Sequence, residues 1–155
     1  MRIKGRPPRL GQIFQTYDPP LYFITICTIY RQKIGDLGRA HRAFENYVHR
    51  ARDEFGVAVG RYVMMPDHVH FFVRGSDDFN LAQWMNGLKR AISVSLGATK
   101  KRPIWQPGFF DHVLRNDESY GEKWKYVREN PVRAGLVTRT DDWPYQGEIM
   151  SIDRA

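Results

Sequence analysis

The stretch that most constrains the fold is a predicted β-hairpin in the middle of the chain. Residues 57–65 and 68–74 are apolar, β-prone runs, and residues 66–67 (Pro-Asp) form a very tight connection between them. His68 and His70 begin the second run, and side chains alternate between faces along a strand, so both imidazoles project from the same face. Two imidazoles about 7 Å apart along a strand can both reach one divalent cation. A third oxygen or nitrogen ligand would come from elsewhere in the chain; the alternative is a pair of exposed histidines on a solvated face.

The rest of the chain supplies the other elements of a single α+β domain. The patterns predict a central first strand at residues 21–30 and two amphipathic helices, at residues 40–55 (with Gly56 as C-cap) and 81–96. They also predict a fourth strand at residues 109–115. A last helix, capped at residues 116–117, runs to about residue 130, where Pro131 ends it. The order is βαββαβ, a ferredoxin-like sandwich with an antiparallel sheet, plus an extra C-terminal helix that bears a tyrosine. Many functions occur on this fold, so it does not by itself indicate one.

Domain boundaries follow composition. Residues 1–18 are basic, contain Pro7 and Pro8, and show no sustained period, which predicts an N-terminal arm. Residues 19–140 form the predicted single domain, and residues 141–155 a C-terminal extension.

The charge of the chain favours a polyanionic partner. The formal net charge is +7, which indicates nucleic acid first and an anionic membrane surface second. No apolar run is long enough to span a bilayer, and Cys27 is the only cysteine, so we expect a cytoplasmic, nucleoid-associated protein. The candidate nucleic-acid contacts are Arg2, Lys4, Arg6, Arg9, Lys89, Arg90, Lys100, Lys101, Arg102, Arg115, Lys123 and Arg133.

The last predicted helix places one tyrosine away from its apolar face. Tyr120, Trp124 and Val127 mark the buried face, and Tyr126 lies about 120° from its middle. Asn130 follows Tyr126 at i+4, so a continuous helix would project both from one side. We interpret Tyr126 as a candidate nucleophile beside a metal that Asn130 helps to bind, because a phenol needs a nearby cation or base to attack a phosphate. The alternative is a surface tyrosine on a charged helix.

These segments together resemble a known family. DHVH (residues 67–70) in an apolar strand resembles the HUH motif (histidine, hydrophobic residue, histidine) of single-strand DNA nucleases. WKYVRENPVRAGLV (residues 124–137) resembles the tyrosine segment of single-tyrosine HUH transposases, and is most similar to that of REP-associated tyrosine transposases. WQPGFFDHVLR (residues 105–115) resembles the segment that precedes the tyrosine helix in those proteins. The similarity covers roughly residues 21–137 in matching order, and the combination is far more specific than the three-residue HUH motif alone.

The resemblance implies a transposase, that is, a metal-dependent single-stranded DNA endonuclease and strand transferase. Members cut single-stranded DNA, usually beside a hairpin, through a 5′-phosphotyrosine link, and a 3′-hydroxyl then rejoins the strand. Carried over by position, His68 and His70 match the metal-binding histidines, Tyr126 the nucleophile, and Asn130 the third ligand. The expected cofactor is Mg²⁺ or Mn²⁺, which accept imidazole and amide oxygen. The expected partner is single-stranded or hairpin DNA, bound by a monomer or homodimer.

Other functions remain open at this point. One is a non-catalytic nucleic-acid-binding module, including a domesticated regulator, that uses the same fold and stacks bases on Phe71 and Phe72. Another is a phosphodiesterase in which water attacks instead of Tyr126. Among single residues, Asp67 is interpreted as a turn residue rather than a partner of His68, and Trp105 as a core residue rather than a base-stacking platform.

Overall fold

The computed structural model describes residues 19–115 and 117–152, without the side chains of residues 117–119, and within them five strands form one antiparallel sheet. In chain order the elements are β1 (Leu21–Cys27), α1 (Leu37–Phe55), β2 (Ala58–Met65), β3 (His68–Arg74), α2 (Leu81–Ser95), β4 (Phe110–Leu114), α3 (Asp117–Val127), α4 (Asn130–Arg133) and β5 (Gln146–Glu148). The sheet order is β4-β1-β3-β2-β5. The predicted ferredoxin-like α+β architecture, with β1 in a central position and the β2–β3 hairpin, is therefore confirmed.

Helix α1 is longer at its start than predicted. The Asp36 side chain accepts a hydrogen bond from the backbone N–H of Arg39 at 3.0 Å, so the helix begins at Leu37 rather than at Ala40. Its end is as predicted, because Gly56 adopts φ 66° as the C-cap, a conformation that costs glycine little.

The two faces of the sheet carry separate hydrophobic clusters. One face packs against α1 and α2, where the largest fully buried side chains include Phe44, Phe71 and Leu88. The opposite face packs against α3 and the C-terminal segment, around Phe72 and Trp124. Because β3 alternates between these clusters, residues 68, 70 and 72 lie on the α3 face. The predicted site therefore lies beneath the predicted tyrosine helix.

The tyrosine helix is shorter than the sequence predicted, and this corrects the single-helix prediction. Helix α3 ends at Val127, and a turn separates it from α4, which starts at Asn130. A proline ring clashes with the carbonyl four residues earlier, so Pro131 breaks the helix at Val127 rather than after Asn130. Pro131 itself occupies the first turn of α4, where its missing N–H has no cost. Asn116, the predicted cap, lies outside the described residues.

The C-terminal segment adds a strand that the sequence did not predict. Gln146–Glu148 pairs with the open edge of β2, with Tyr62 opposite Gly147. Trp143 is buried, and its indole N–H donates to the Met64 carbonyl at 3.0 Å. The predicted boundary at residue 140 therefore does not mark the edge of the packed sheet.

A partly buried histidine connects α1 to β2. The His41 Nε2 lies 2.8 Å from the Tyr62 hydroxyl, and the His41 ring also packs edge-on against Tyr145. Burial lowers the pKa of His41 below its usual value of 6.5, although the nearby Glu45 carboxylate opposes the shift.

No helix in residues 19–115 and 117–152 is long and apolar enough to cross a membrane.

Candidate metal and DNA-cleavage site

The two predicted histidines form a close pair on the α3 face of the sheet. The ring centroids of His68 and His70 are 4.7 Å apart, with the ring planes at 75°. The strand register places Thr25 opposite His70 and Cys27 opposite His68 on the neighbouring β1. Only 14% of the His68 side chain is exposed, so the pair is not the solvated one that the alternative interpretation required.

Each imidazole is oriented through its Nδ1 atom. The Thr25 hydroxyl lies 2.8 Å from Nδ1 of His70, and an Asp67 carboxylate oxygen lies 2.8 Å from Nδ1 of His68. A carboxylate only accepts hydrogen bonds, so Nδ1–H of His68 donates to Asp67 and leaves the lone pair on Nε2. When Nδ1–H of His70 donates to Thr25, its Nε2 carries a lone pair as well. This arrangement is typical of histidines that bind metals.

Burial keeps both imidazoles neutral at neutral pH. Burial lowers the pKa of His70 to about 3, and repulsion from a protonated His68 and from the charges of Lys123, Arg31 and Arg133 adds to this shift. Burial also lowers the pKa of His68, although the hydrogen bond to Asp67 opposes it. Neutral imidazole is the form that binds a metal ion, so the pair fits that role.

Asp67 is more than a turn residue, which corrects the sequence interpretation. Besides contacting His68, its carboxylate forms an ion pair of 3.2 Å with Arg31. Burial raises the pKa of Asp67, but the hydrogen bond with His68 and the charges of His68 and Arg31 outweigh burial, and the net pKa lies below its usual value. Asp67 therefore remains ionised and holds the His68 ring in place.

Helix α3 lies across the same face and brings cationic side chains toward the histidines. The Tyr120 ring contacts Phe72 with centroids 4.6 Å apart. One turn later, the Lys123 ammonium lies 4.9 Å from the centroid of Phe23, and the Phe23 ring stacks on His70 at 5.3 Å. Lys123 and His70 therefore both contact the Phe23 ring.

Tyr126 follows Lys123 by three residues and lies beside it on the helix. Tyr126 is 65% exposed, whereas Trp124 and Val127 are buried, which confirms the predicted off-core position. The Arg133 guanidinium lies 4.1 Å from the centroid of the Tyr126 ring. A cation held over an exposed phenol is suited to attract a phosphate to that phenol.

Arg133 also connects Tyr126 to Asn130 across the helix break. One of its guanidinium nitrogens donates to the Tyr126 carbonyl at 2.8 Å and to the side-chain oxygen of Asn130. The two residues therefore remain neighbours although they do not share a helix. In the described residues, no cluster of three or more His, Cys, Asp or Glu side chains is positioned to hold a metal. Asn130 as the third ligand stays a prediction.

The predicted basic residues separate into groups. Lys123 and Arg133 lie near the histidines, as described above. Lys89 instead donates to the carbonyls of Gln106 and Gly108 at 2.8 Å each, so its ammonium holds in place the basic loop, residues 97–108, that follows α2. The side chains that remain exposed are Arg90, Lys100, Lys101, Arg102 and Arg115, and those of Arg2, Lys4, Arg6 and Arg9 lie outside the described residues.

Two residues that contact the histidines, Thr25 and Arg31, were not predicted from the sequence. Thr25 was included only in an apolar strand, and its position opposite His70 depends on the β1–β3 register, which the sequence does not specify. Arg31 reaches Asp67 from a three-residue turn, Ile29–Arg31, in which its φ is 54°. Trp105 is buried, and its indole N–H donates to the Lys89 carbonyl at 3.2 Å, so the core interpretation is confirmed.

Fold and site together define a class of protein: a ferredoxin-like sheet with a same-face histidine pair and an exposed tyrosine on the helix that covers it. The sequence profile described as transposase IS200-like matches residues 20–130, more than half of the chain. The chain therefore belongs to the IS200-like transposase family, and the resemblance found in the sequence is confirmed.

Individual relatives agree with this membership. The chain is 32% identical over 90 residues to the REP-associated tyrosine transposase of Escherichia coli strain K12, a match that covers 56% of this chain and 52% of the relative. The chain thus spans about half the length of that relative. A protein of Haemophilus influenzae that provisionally carries the same name is 26% identical over 137 residues, which cover 81% of this chain and 77% of that protein.

A solved structure shows the same fold. It is the structure of a REP-associated tyrosine transposase bound to a REP hairpin, and it superposes with a TM-score of 0.70 at 24% sequence identity. The match covers 86% of this chain and 80% of that one.

Proposed function

We propose that this protein is a transposase that cuts and rejoins single-stranded DNA, with Tyr126 as the nucleophile and a divalent metal at His68 and His70. The observation that carries the proposal is the position of Tyr126, exposed beside Arg133 on the helix that covers the histidine pair. A tyrosine placed only for packing would lie with Trp124 on the buried face.

The proposed reaction exchanges one phosphodiester for another. The Tyr126 phenolic oxygen attacks the scissile phosphorus and loses its proton to solvent, while the bond from phosphorus to the 3′-oxygen breaks and that oxygen takes up a proton. The products are a 5′-phosphotyrosine link and a free 3′-hydroxyl. A second 3′-hydroxyl then attacks the same phosphorus, the phenol leaves and regains its proton, and the strand is rejoined. No external energy source is needed, because each step forms one P–O bond and breaks another.

The residues around the site support this chemistry. Mg²⁺ or Mn²⁺ bound through Nε2 of His68 and His70, with Asn130 as third ligand, would polarise the phosphate and stabilise its developing charge. Asp67 and Thr25 fix the ring orientations from the far side. Arg133 and Lys123 supply positive charge where the phosphate enters.

Single-stranded or hairpin DNA is the proposed substrate. The net charge of +7 favours a polyanion. The relative with the matching fold was solved with a REP hairpin bound, and hairpin DNA is accordingly the first substrate to test.

A covalent-trapping assay tests the proposal. Labelled single-stranded hairpin DNAs from the flanks of the gene would be incubated with wild type or Tyr126→Phe, with Mn²⁺ or with EDTA, and resolved on a denaturing gel. We expect a metal-dependent protein–DNA adduct that disappears in Tyr126→Phe and persists in Tyr145→Phe, a matched loss of a hydroxyl elsewhere. Binding without an adduct would favour the non-catalytic module. Cleavage that survives Tyr126→Phe would assign the attack to water.

A further inference from the structure

The turn between β1 and α1 holds a tyrosine away from the protein in an unfavourable backbone conformation. Tyr30 has φ 56° and ψ 20°, and Arg31, which follows it, also has a positive φ. Residues with a Cβ atom rarely adopt this left-handed region, and such outliers concentrate at functional sites. Tyr30 is 90% exposed, so burial of its ring does not account for the conformation.

This turn is fixed by hydrogen bonds on both sides of Tyr30. The backbone N–H of Ile29 donates to the Ile104 carbonyl at 2.8 Å, in the basic loop after α2. The backbone N–H of Ile34 donates to the Pro66 carbonyl at 2.8 Å, in the turn that precedes the histidines. Tyr30 is thus presented from a fixed point between the basic loop and the histidine hairpin.

A basic cavity of about 780 Å³ lies against Tyr30. The cavity is bounded by the turn, the start of α1 and the basic loop, and it contains four cationic side chains and one acid: Lys33, Arg39, Lys101, Arg102 and Asp36. Arg39 pairs with Asp36 at 3.5 Å. Within the part of the chain that the structure describes, the other three cations form no ion pair with an acidic side chain. The cavity therefore has positive charge available for a ligand.

Arg31, the neighbour of Tyr30 in the chain, contacts the residues of the candidate cleavage site. The Arg31 guanidinium lies 3.2 Å from both the Asp67 carboxylate and Nδ1 of His68. Tyr30, which directly precedes Arg31 in the chain, lines the cavity. Arg31 therefore connects the turn that lines the cavity to the residues that orient His68.

We propose that this cavity binds an unpaired nucleotide in the single-stranded part of the DNA substrate. This subsite rests on the proposed function. The base stacks on the Tyr30 ring, and Lys33, Lys101 and Arg102 contact the backbone phosphates. An exposed aromatic ring beside free cations is the combination by which proteins bind single strands, whereas a free inorganic anion needs no ring.

Equilibrium binding tests the subsite in the cleavage-deficient Tyr126→Phe protein. The probe is a fluorescein-labelled DNA hairpin with a single-stranded flank of about eight thymidines, within the usual range of single-strand site sizes. Tyr30→Asn removes the ring but tolerates the left-handed conformation, and Tyr30→Phe keeps the ring. Phe55→Ala is the matched control, because Phe55 is another exposed aromatic residue (65%) that does not line this cavity.

We expect Tyr30→Asn to weaken binding roughly 5- to 150-fold, the range for loss of one stacked base, with Tyr30→Phe and Phe55→Ala close to the parent. In the Tyr126→Phe protein, an abasic residue in place of one particular thymidine should weaken DNA binding. In the protein that also carries Tyr30→Asn, the abasic residue at that position should cause no further loss of affinity. Lys101→Gln should reduce the slope of log K against log salt concentration by about 0.7.

The subsite is overturned if Tyr30→Asn binds like the parent, or if the abasic scan is the same with and without the ring. If wild type still forms the Tyr126-dependent adduct in that case, the proposed function stands without the subsite. If wild type neither binds the hairpin nor forms an adduct, both proposals are overturned.

Discussion

The Thr25 hydroxyl is the most informative single group at the candidate metal site, because it contacts only one of the two histidines. Thr25→Val keeps the shape and the β-branch of the side chain but removes the partner of His70 Nδ1, 2.8 Å away. A free Nδ1 lets the ring proton occupy Nε2 in a fraction of molecules, and such a ring does not bind a metal. Loss of this kind of partner typically weakens metal binding about 10- to 100-fold, which corresponds to about 1.4–2.7 kcal/mol.

That magnitude agrees with an independent argument from burial. Leaving a buried donor without an acceptor costs about 1–3 kcal/mol. The His70 environment is buried enough to hold its pKa at about 3, so solvent is a poor substitute for the hydroxyl. We therefore expect an effect that is large enough to measure directly.

Isothermal titration calorimetry with MnCl₂ at neutral pH measures the effect. We expect weaker binding for Thr25→Val, near-normal binding for Thr25→Ser, and no change for Thr138→Val, the same substitution at an exposed position. Wild-type affinity in Thr25→Val would refute the idea that this hydroxyl sets the His70 tautomer. Undiminished Mn²⁺ binding after His70→Ala would refute the site itself.

Two further predictions concern how the protein is held together. Gly60→Ala should lower the free energy of unfolding by about 1–3 kcal/mol, because the new Cβ would lie 2.6 Å from the Tyr120 hydroxyl under α3. Gly121→Ala, with open space around the new Cβ, should raise the free energy of unfolding by up to about 1 kcal/mol. Urea denaturation measures both changes, and a neutral Gly60→Ala would contradict this packing. Burial lowers the folded-state pKa of His41 below the unfolded value, so its contribution to stability is full above about pH 6.5 and is lost as the pH falls below that value. The unfolding free energy of His41→Gln should therefore decline less than that of wild type between pH 7 and pH 5, and parallel declines would show that His41 does not contribute.

The sequence predicted the elements whose pattern is local. The strand His68–Arg74 was predicted with its observed bounds, because apolar alternation and the Pro66–Asp67 turn are both visible in the chain. Gly56 and the off-core position of Tyr126 are equally local features, one a capping preference and the other a helical period.

Apart from the helix break at Val127, the features that the sequence did not predict depend on contacts between distant segments. Strand β5 is three residues long and lacks a β-prone pattern; it forms because the edge of β2 is available for pairing. The Asp67–Arg31 ion pair and the Thr25–His70 contact depend on strand register and on the unusual turn at Tyr30. The helix break at Val127 was predictable from Pro131, since the clash occurs four residues before the proline rather than at it.

The central claim is that Tyr126 becomes covalently joined to DNA, and identifying the linked residue tests it most directly. Wild-type protein would be reacted with a hairpin substrate in Mn²⁺, the DNA trimmed with nuclease, and the proteolytic peptides analysed by mass spectrometry. We expect a 5′-phosphonucleotide on the peptide that contains Tyr126 and on no other tyrosine peptide. A nucleotide on a different residue, or efficient strand cleavage with every tyrosine peptide unmodified, would contradict it.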